Sequence, residues 1–181
     1  ERISNMKFIC NKDTILSVVQ TTSKAAAGKS SIQALEGILM ELEGNTLTVT
    51  GYDLDIGIKT SIEVEGIESG NIVISAKMAV DIIRKMPSGS ITFECSGNNL
   101  AEITNNMTSF SVSCSSADDY PNVPQVNPDT SFTMPQKLLK SMIIQTKFAV
   151  AVVDSKPALM GCKFELENNV LSVAAVDGVR I

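Results

Sequence analysis

A stretch of this 181-residue chain recurs at a fixed offset, and that repeat constrains the fold more than any other feature. Ala34-Leu35-Glu36-Gly37 opens a segment continuing through Glu41, Leu42, Glu43, Asn45, Leu47 and Val49 to Asp53. Ala158-Leu159-Met160-Gly161 opens its copy, continuing through Glu165, Leu166, Glu167, Asn169, Leu171 and Val173 to Asp177. Every pair lies 124 residues apart. The register extends upstream without a gap, setting Phe8 on Phe132, Ser17 on Ser141, Thr22 on Thr146, Ala25 on Ala149 and Ser31 on Ser155. A repeat of this length predicts duplicated domains of about 120 residues, a normal domain size. The expected organisation is a first domain over 6–127 and a second over 128–181, cut off less than halfway. Residues 1–5 precede Met6-Lys7-Phe8 as an N-terminal extension. The join spans 115–129, with Pro121, Pro124, Pro128 and Asp118-Asp119, and reads as a linker.

Hydrophobic periodicity predicts the elements. Each unit starts with a short strand, at 7–10 and 131–134. An amphipathic helix follows, at 13–26 with Ile15, Val18 and Val19 on one face, and at 136–150 with Leu139, Met142 and Ile143 there. Asp13 suits an N-cap or first turn, and Pro135 suits the first helical position. Alternation then predicts strands. Ile38, Met40 and Leu42 point in against Glu41 and Glu43; Leu47 and Val49 point in between threonines; Ile56, Ile58 and Ile62 alternate with small or charged residues. Glu43-Gly44-Asn45 and Glu167-Asn168-Asn169 are matching hairpin turns. The first unit repeats the plan internally, with a strand at 71–75, a helix at 77–86 and strands at 90–95, 100–104 and 108–114. A strand-helix-strand-strand-strand motif used twice per domain, with helices on one face of antiparallel sheets, defines an α+β class.

Composition excludes much chemistry. With no histidine, a Ser-His-Asp or Cys-His nucleophile system and a His-ligated metal site are impossible. With no tryptophan and 4% aromatic residues, a ring-stacking surface for sugars or single strands is unsupported. The net charge of -5 is unevenly distributed. The three helical segments hold Lys24, Lys77, Arg84, Lys85, Lys137, Lys140 and Lys147 against only Asp13 and Asp81, which leaves eight basic and eighteen acidic residues elsewhere. If the helices share a face, that face attracts a polyanion although the chain is acidic overall.

Several motifs fail on inspection. Gly28-Lys29-Ser30 lacks the leading glycine of a phosphate loop, since position 23 is Ser23, and it follows a helix rather than a strand. Asp53-Leu54-Asp55-Ile56-Gly57 begins like a calcium loop but has Gly57 at the third ligand position. The pairs Glu41/Glu43 and Glu165/Glu167 read as solubilising strand charges. Cys10, Cys95, Cys114 and Cys162 have no zinc spacing and read as buried free thiols in a reducing cytoplasm, with a Cys95–Cys114 bridge as the alternative. No signal peptide or membrane-length apolar run is present, so Asn106-Met107-Thr108 carries no glycosylation signal. No enzyme, cofactor or metal is expected.

Three stretches then carry a resemblance. Met6-Lys7-Phe8, Ala117-Asp118-Asp119-Tyr120-Pro121-Asn122 and Val176-Asp177-Gly178-Val179-Arg180-Ile181 resemble the bacterial sliding clamp family, the beta subunit of DNA polymerase III, and the similarity runs from Met6 to Ile181. The resemblance implies a DNA-clamp fold: a ring of two protomers with three similar domains each, helices lining the hole, sheets outside. It implies a processivity factor that encircles duplex DNA and tethers polymerase without doing chemistry. Lys24, Lys29, Lys77, Arg84, Lys137, Lys140 and Lys147 are then the expected DNA-facing residues. Polymerase and clamp-loader peptides are expected in a pocket whose second-domain part is Leu159, Val176, Gly178, Val179, Arg180 and Ile181. The family's usual motif there reads Thr-Asp-Gly-His-Arg-Leu, so Val176 and Val179 make the site more apolar. Phe110 and Val112 fall on the strand that the family uses for dimer contact. By this resemblance the missing third domain leaves the chain unable to close a ring alone. The competing expectation is a duplicated-domain β-rich scaffold or adhesin, secreted and bridged at Cys95–Cys114.

Overall fold

The computed structural model describes residues 4–97, 99–125, 131–153 and 156–180. The chain divides into two compact units, unit 1 over Glu1–Gln125 and unit 2 over Val126–Ile181. The expected boundary at 127/128 lies outside the described residues.

Unit 1 runs β1 (Asn5–Asn11), α1 (Lys12–Thr22), β2 (Gly37–Glu43), β3 (Thr46–Tyr52), β4 (Gly57–Glu63), β5 (Glu65–Glu68), β6 (Gly70–Ser75), α2 (Ala76–Lys85), β7 (Ser90–Ser96), β8 (Leu100–Thr104) and β9 (Ser109–Ser115). All strands pair antiparallel in one sheet of order β4-β3-β2-β6-β9-β8-β7-β1-β5. The internal repeat is visible in that order. The β2-β3-β4 meander takes in β6, the first strand of the other half, while β7-β8-β9 takes in β1. Each half therefore completes its sheet with a strand from the other, so neither half is a separate folding unit. Asn5, expected in an extension, is the first residue of β1 and pairs with Ser96.

Alternation decides which side chains meet. Along β1 the even positions Met6, Phe8 and Cys10 are buried, and Phe8 stands opposite Phe93 with ring centroids 5.1 Å apart, stacked at 10°. Ile15, Val18 and Val19 of α1 and Ala79, Ile82 and Ile83 of α2 join the same core. The helices start where the sequence provides acceptors. Asn11 Oδ1 accepts from the Asp13 N–H at 2.9 Å, making Asn11 the N-cap and placing Asp13 in the first turn. Ser75 caps α2 by accepting from the Met78 N–H at 3.4 Å. The first helix is shorter than expected: at Ser23–Ala25 it tightens into a 3-10 turn. Ile56 is exposed in a turn rather than opening β4.

Unit 2 comprises α3 (Gln136–Thr146), 3-10 turns at Lys147–Ala149 and Pro157–Met160, and the hairpin β10 (Lys163–Glu167) and β11 (Val170–Ala174). Shifted by 124 residues, α1 falls on α3 end to end, and the unit 1 turns Ser23–Ala25 and Gln33–Glu36 fall on the two unit 2 turns. Pro135 is the N-cap of α3, one residue before the expected position. The strand expected at 131–134 is not formed. The reason is pairing: β1 is a strand because β7 and β5 supply its hydrogen bonds. Among the described residues no strand pairs with 131–134. The face of α3 is likewise less covered than that of α1. Val19 is buried in unit 1, whereas its counterpart Ile143 is exposed.

The four cysteines are free, Cys162 half-buried and the others buried. Cys95 and Cys114 touch sulfur to sulfur at 3.3 Å without a bridge. Burial pushes the Cys10 and Cys114 thiols up to about 12, which keeps them protonated and unreactive. Among the described residues no helix is long and apolar enough to cross a membrane, and no three His, Cys, Asp or Glu residues form a metal cluster.

Candidate functional site

Lys24, Lys29, Lys77, Arg84, Lys137, Lys140 and Lys147 are all exposed. Lys24 and Lys147 lie in the matching 3-10 turns after α1 and α3, one position apart in the repeat. Lys29 lies in the loop before β2. Lys77 and Arg84 sit on α2, where Arg84 reaches Asp81 at 3.8 Å, an exposed pair of small energetic weight. Acidic residues concentrate on strands and turns: Glu41, Glu43, Glu63, Glu65, Glu68, Glu94 and Glu102.

The residues expected at a peptide site lie in unit 2, Leu159 in the turn before β10 and the others after β11. Val176 and Leu159 are half-buried, Gly178 and Arg180 exposed, and Val179 is 94% exposed. Ile181 lies outside the described residues. Asp177 organises the turn. Its Oδ1 accepts from the N–H groups of Val179 at 3.1 Å and Arg180 at 3.0 Å. Arg180 Nε donates to Oδ2 at 2.7 Å, and the Asp177 N–H donates back to the Arg180 carbonyl at 3.3 Å. Gly178 takes a φ of +85°, a left-handed conformation that costs glycine nothing.

Unit 1 holds the same turn 124 residues earlier. Asp53 Oδ1 accepts from the N–H groups of Asp55 at 3.0 Å and Ile56 at 2.7 Å, and the Asp53 N–H donates to the Ile56 carbonyl at 3.2 Å. The calcium-like motif is therefore a side-chain-closed turn. At the position of Gly178 stands Leu54, with a φ of +82°. A branched side chain is strained in that conformation, so Leu54→Gly is expected to stabilise unit 1 by about 0.5–1 kcal/mol, after the extra chain entropy of glycine is subtracted. Urea denaturation checks this.

The ion pair sets the Asp177 charge. The Arg180 side-chain hydrogen bond first, then the two backbone N–H groups, hold its carboxyl below the ordinary value of 3.8. A depressed carboxyl contributes at pH above the unfolded value and loses the contribution as pH falls through its own lowered titration. Arg180→Ala is expected to move the Asp177 titration upward toward 3.8, readable by carboxyl NMR, while the backbone donors keep it below.

Phe110 and Val112 lie on β9, which pairs with β8 along its length but with β6 only at Cys114 and Ser115. Among the described residues, 109–113 thus present an open edge. Val112 is 3% exposed and belongs to the core, so its side chain is not free for a partner; Phe110 is half-buried. A separate cleft of about 1230 Å³ in unit 1 lies among the loop before β2, the start of α2 and the end of β9. Its lining of Ser75, Lys77, Asp81, Ser113 and Asp119 holds no nucleophile–base pair.

Helices packed against each other and against one antiparallel sheet, in a motif that recurs within unit 1 and again in unit 2, define the DNA-clamp fold. The sequence matches the DNA polymerase III beta subunit N-terminal domain over residues 6–124 and its central domain over 133–181, and the chain belongs to that family. It is 33% identical to the beta sliding clamp of Halalkalibacterium halodurans over 184 residues, covering 97% of this chain and 48% of that protein. The beta sliding clamp of Bacillus subtilis is 32% identical, with 97% and 49% covered. The crystal structure of the Bacillus subtilis clamp superposes with a TM-score of 0.88 at 31% identity, over 96% of this chain and 48% of that one. A Pseudomonas aeruginosa clamp bound to griselimycin gives 0.89 at 25% identity, over 97% and 48%. The chain spans about half the length of these relatives. Family membership replaces the scaffold or adhesin expectation, and the free thiols at Cys95 and Cys114 agree with that outcome.

Proposed function

We propose that this chain forms the first domain and the opening part of the second domain of a ring-shaped sliding clamp. The ring is a homodimer in the cytoplasm that encircles duplex DNA without reading its sequence. It tethers polymerase and clamp-loader subunits and performs no reaction itself. The observation that carries this reading is the family match across both units. The charge pattern supports it: cations on the helices and acids on the strands give an acidic protein a face for the phosphate backbone.

Within that ring we assign Lys24, Lys29, Lys77, Arg84, Lys137, Lys140 and Lys147 to the DNA side. Leu159, Val176, Gly178, Val179, Arg180 and Ile181 form part of the peptide site, with Val176 and Val179 favouring apolar contacts. Phe110 and the open 109–113 edge of β9 serve the protomer contact, Val112 supporting it from the core. Primer extension with the complete protein carrying these residues tests the reading. Long products are expected only when the ring is loaded, and Arg180→Ala is expected to shorten them by weakening polymerase capture about tenfold. Product lengths indifferent to the protein would overturn the function. A normal Arg180→Ala variant would overturn the site assignment alone.

A further inference from the structure

Unit 1 repeats the backbone frame on which the proposed unit 2 peptide site stands, and a segment of unit 1 itself packs on that frame. The shared frame matches bond by bond. The Ala27 N–H donates to the Leu35 carbonyl at 2.8 Å, as Ala151 does to Leu159 at 2.9 Å. The Leu35 N–H donates to Ile32 at 3.1 Å, as Leu159 does to Lys156 at 3.0 Å. The Asp53 and Asp177 turns close in the same way. The offset sets Leu35 on Leu159, Tyr52 on Val176 and Leu54 on Gly178. In unit 1 residues of the same chain cover the frame. Leu35, Tyr52 and Val73 form a small apolar cluster with Tyr120, and Val123 packs on it. The Tyr120 hydroxyl donates to the Thr50 carbonyl at 3.3 Å, and a Cβ added to Gly57 would meet Val123 Cγ1 at 2.8 Å. The buried Thr50 Oγ1, on the same strand face as Tyr52, has no hydrogen-bond partner among the described residues. Leu35 is fully buried within this cluster.

We propose that the Leu35–Tyr52–Val73 groove of unit 1 is a second peptide-binding site, closed by residues 120–123 of its own chain. Its ligand class follows from that occupant: an extended segment with an aromatic ring three residues ahead of an aliphatic side chain, the ring carrying a hydroxyl donor for the Thr50 carbonyl. A segment joined to the frame acts at high effective concentration, so an outside peptide of equal quality is excluded until the tether loses its anchor. The reading of the frame as a peptide site rests on the function proposed for unit 2, while the ligand class comes from the occupant in unit 1.

The test uses the full 181-residue chain and a fluorescent synthetic peptide of residues 117–123. Anisotropy is expected to show at least about tenfold tighter binding to Tyr120→Ala than to the unsubstituted chain. A peptide with alanine for its tyrosine is expected to lose that gain, and Arg180→Ala to leave it unchanged. Hydrogen exchange on the complex is expected to slow at 34–36 and 50–54. If thermal melting shows that Tyr120→Ala does not fold, Val123→Ala gives the same comparison with a smaller gain. Equal binding to variant and unsubstituted chain, binding indifferent to the peptide's tyrosine, or no binding to a folded variant would each overturn the proposal.

Discussion

Phe8→Ala is expected to destabilise unit 1 by about 3–5 kcal/mol, while Phe132→Ala in the same chain changes stability by less than about 1 kcal/mol. The two phenylalanines are copies of one position, 124 residues apart. Phe8 is fully buried against Phe93, in a strand held on both sides by β7 and β5. Removing the ring leaves a cavity that the interlocked sheet cannot collapse, and it also removes an aromatic stack. Phe132 is 52% exposed and lies outside any strand. The same residue type at the same repeat position thus differs because Phe8 sits buried in a paired strand and Phe132 does not. Chemical denaturation of both variants, followed by circular dichroism, checks the contrast; equal losses would contradict the pairing argument.

Gly51→Ala is expected to cost about 3 kcal/mol, near the upper end of ordinary overpacking. Gly51 lies in β3 beneath the end of α1, and a Cβ there would run into the Thr22 carbonyl oxygen and carbon. Both obstacles are backbone, so no side chain can swing aside. Unit 2 carries Ala175 at the equivalent place, and there Thr146 has a φ of −113° where Thr22 has −69°. The two helix ends therefore differ at the point where the methyl group would fall. A stability loss under about 1 kcal/mol would mean that α1 can make the same adjustment freely.

Much of the fold could be read from sequence because the repeat allowed each element to be read twice. Alternation placed β2 and β3, the repeat register points to β10 and β11, and the matching hairpin turns appear at Gly44 and at Asn168-Asn169 with left-handed φ values. The family followed from short motifs in the right order. What could not be read depends on neighbours distant in sequence. β5 was not expected, because Glu65-Gly66-Ile67-Glu68 has no buried alternation and exists only by pairing with β1. The exchange of first strands between halves leaves no local pattern, since β1 and β6 look the same whichever meander they join. The 115–129 stretch read as a linker from its Pro, Ser and Asp content, which hid two anchors, Tyr120 and Val123. Their signal was present as apolar side chains in a polar segment, but only the position of Leu35 and Tyr52 gives it meaning. The position of Val112 shows the reverse limit: strand placement was correct, yet facing and pairing decide whether a side chain is available.

Retention on DNA of changed topology tests the central proposal most directly. The complete protein carrying these residues is loaded on nicked circular DNA, and its lifetime there is compared before and after a single cut linearises the circle. A ring held by encirclement, with only weak salt-sensitive attraction from its helix cations, is expected to remain on the circle and slide off the ends within a far shorter time. Equal lifetimes on circular and linear DNA would mean that contacts rather than topology hold the protein, and would contradict the sliding-clamp account.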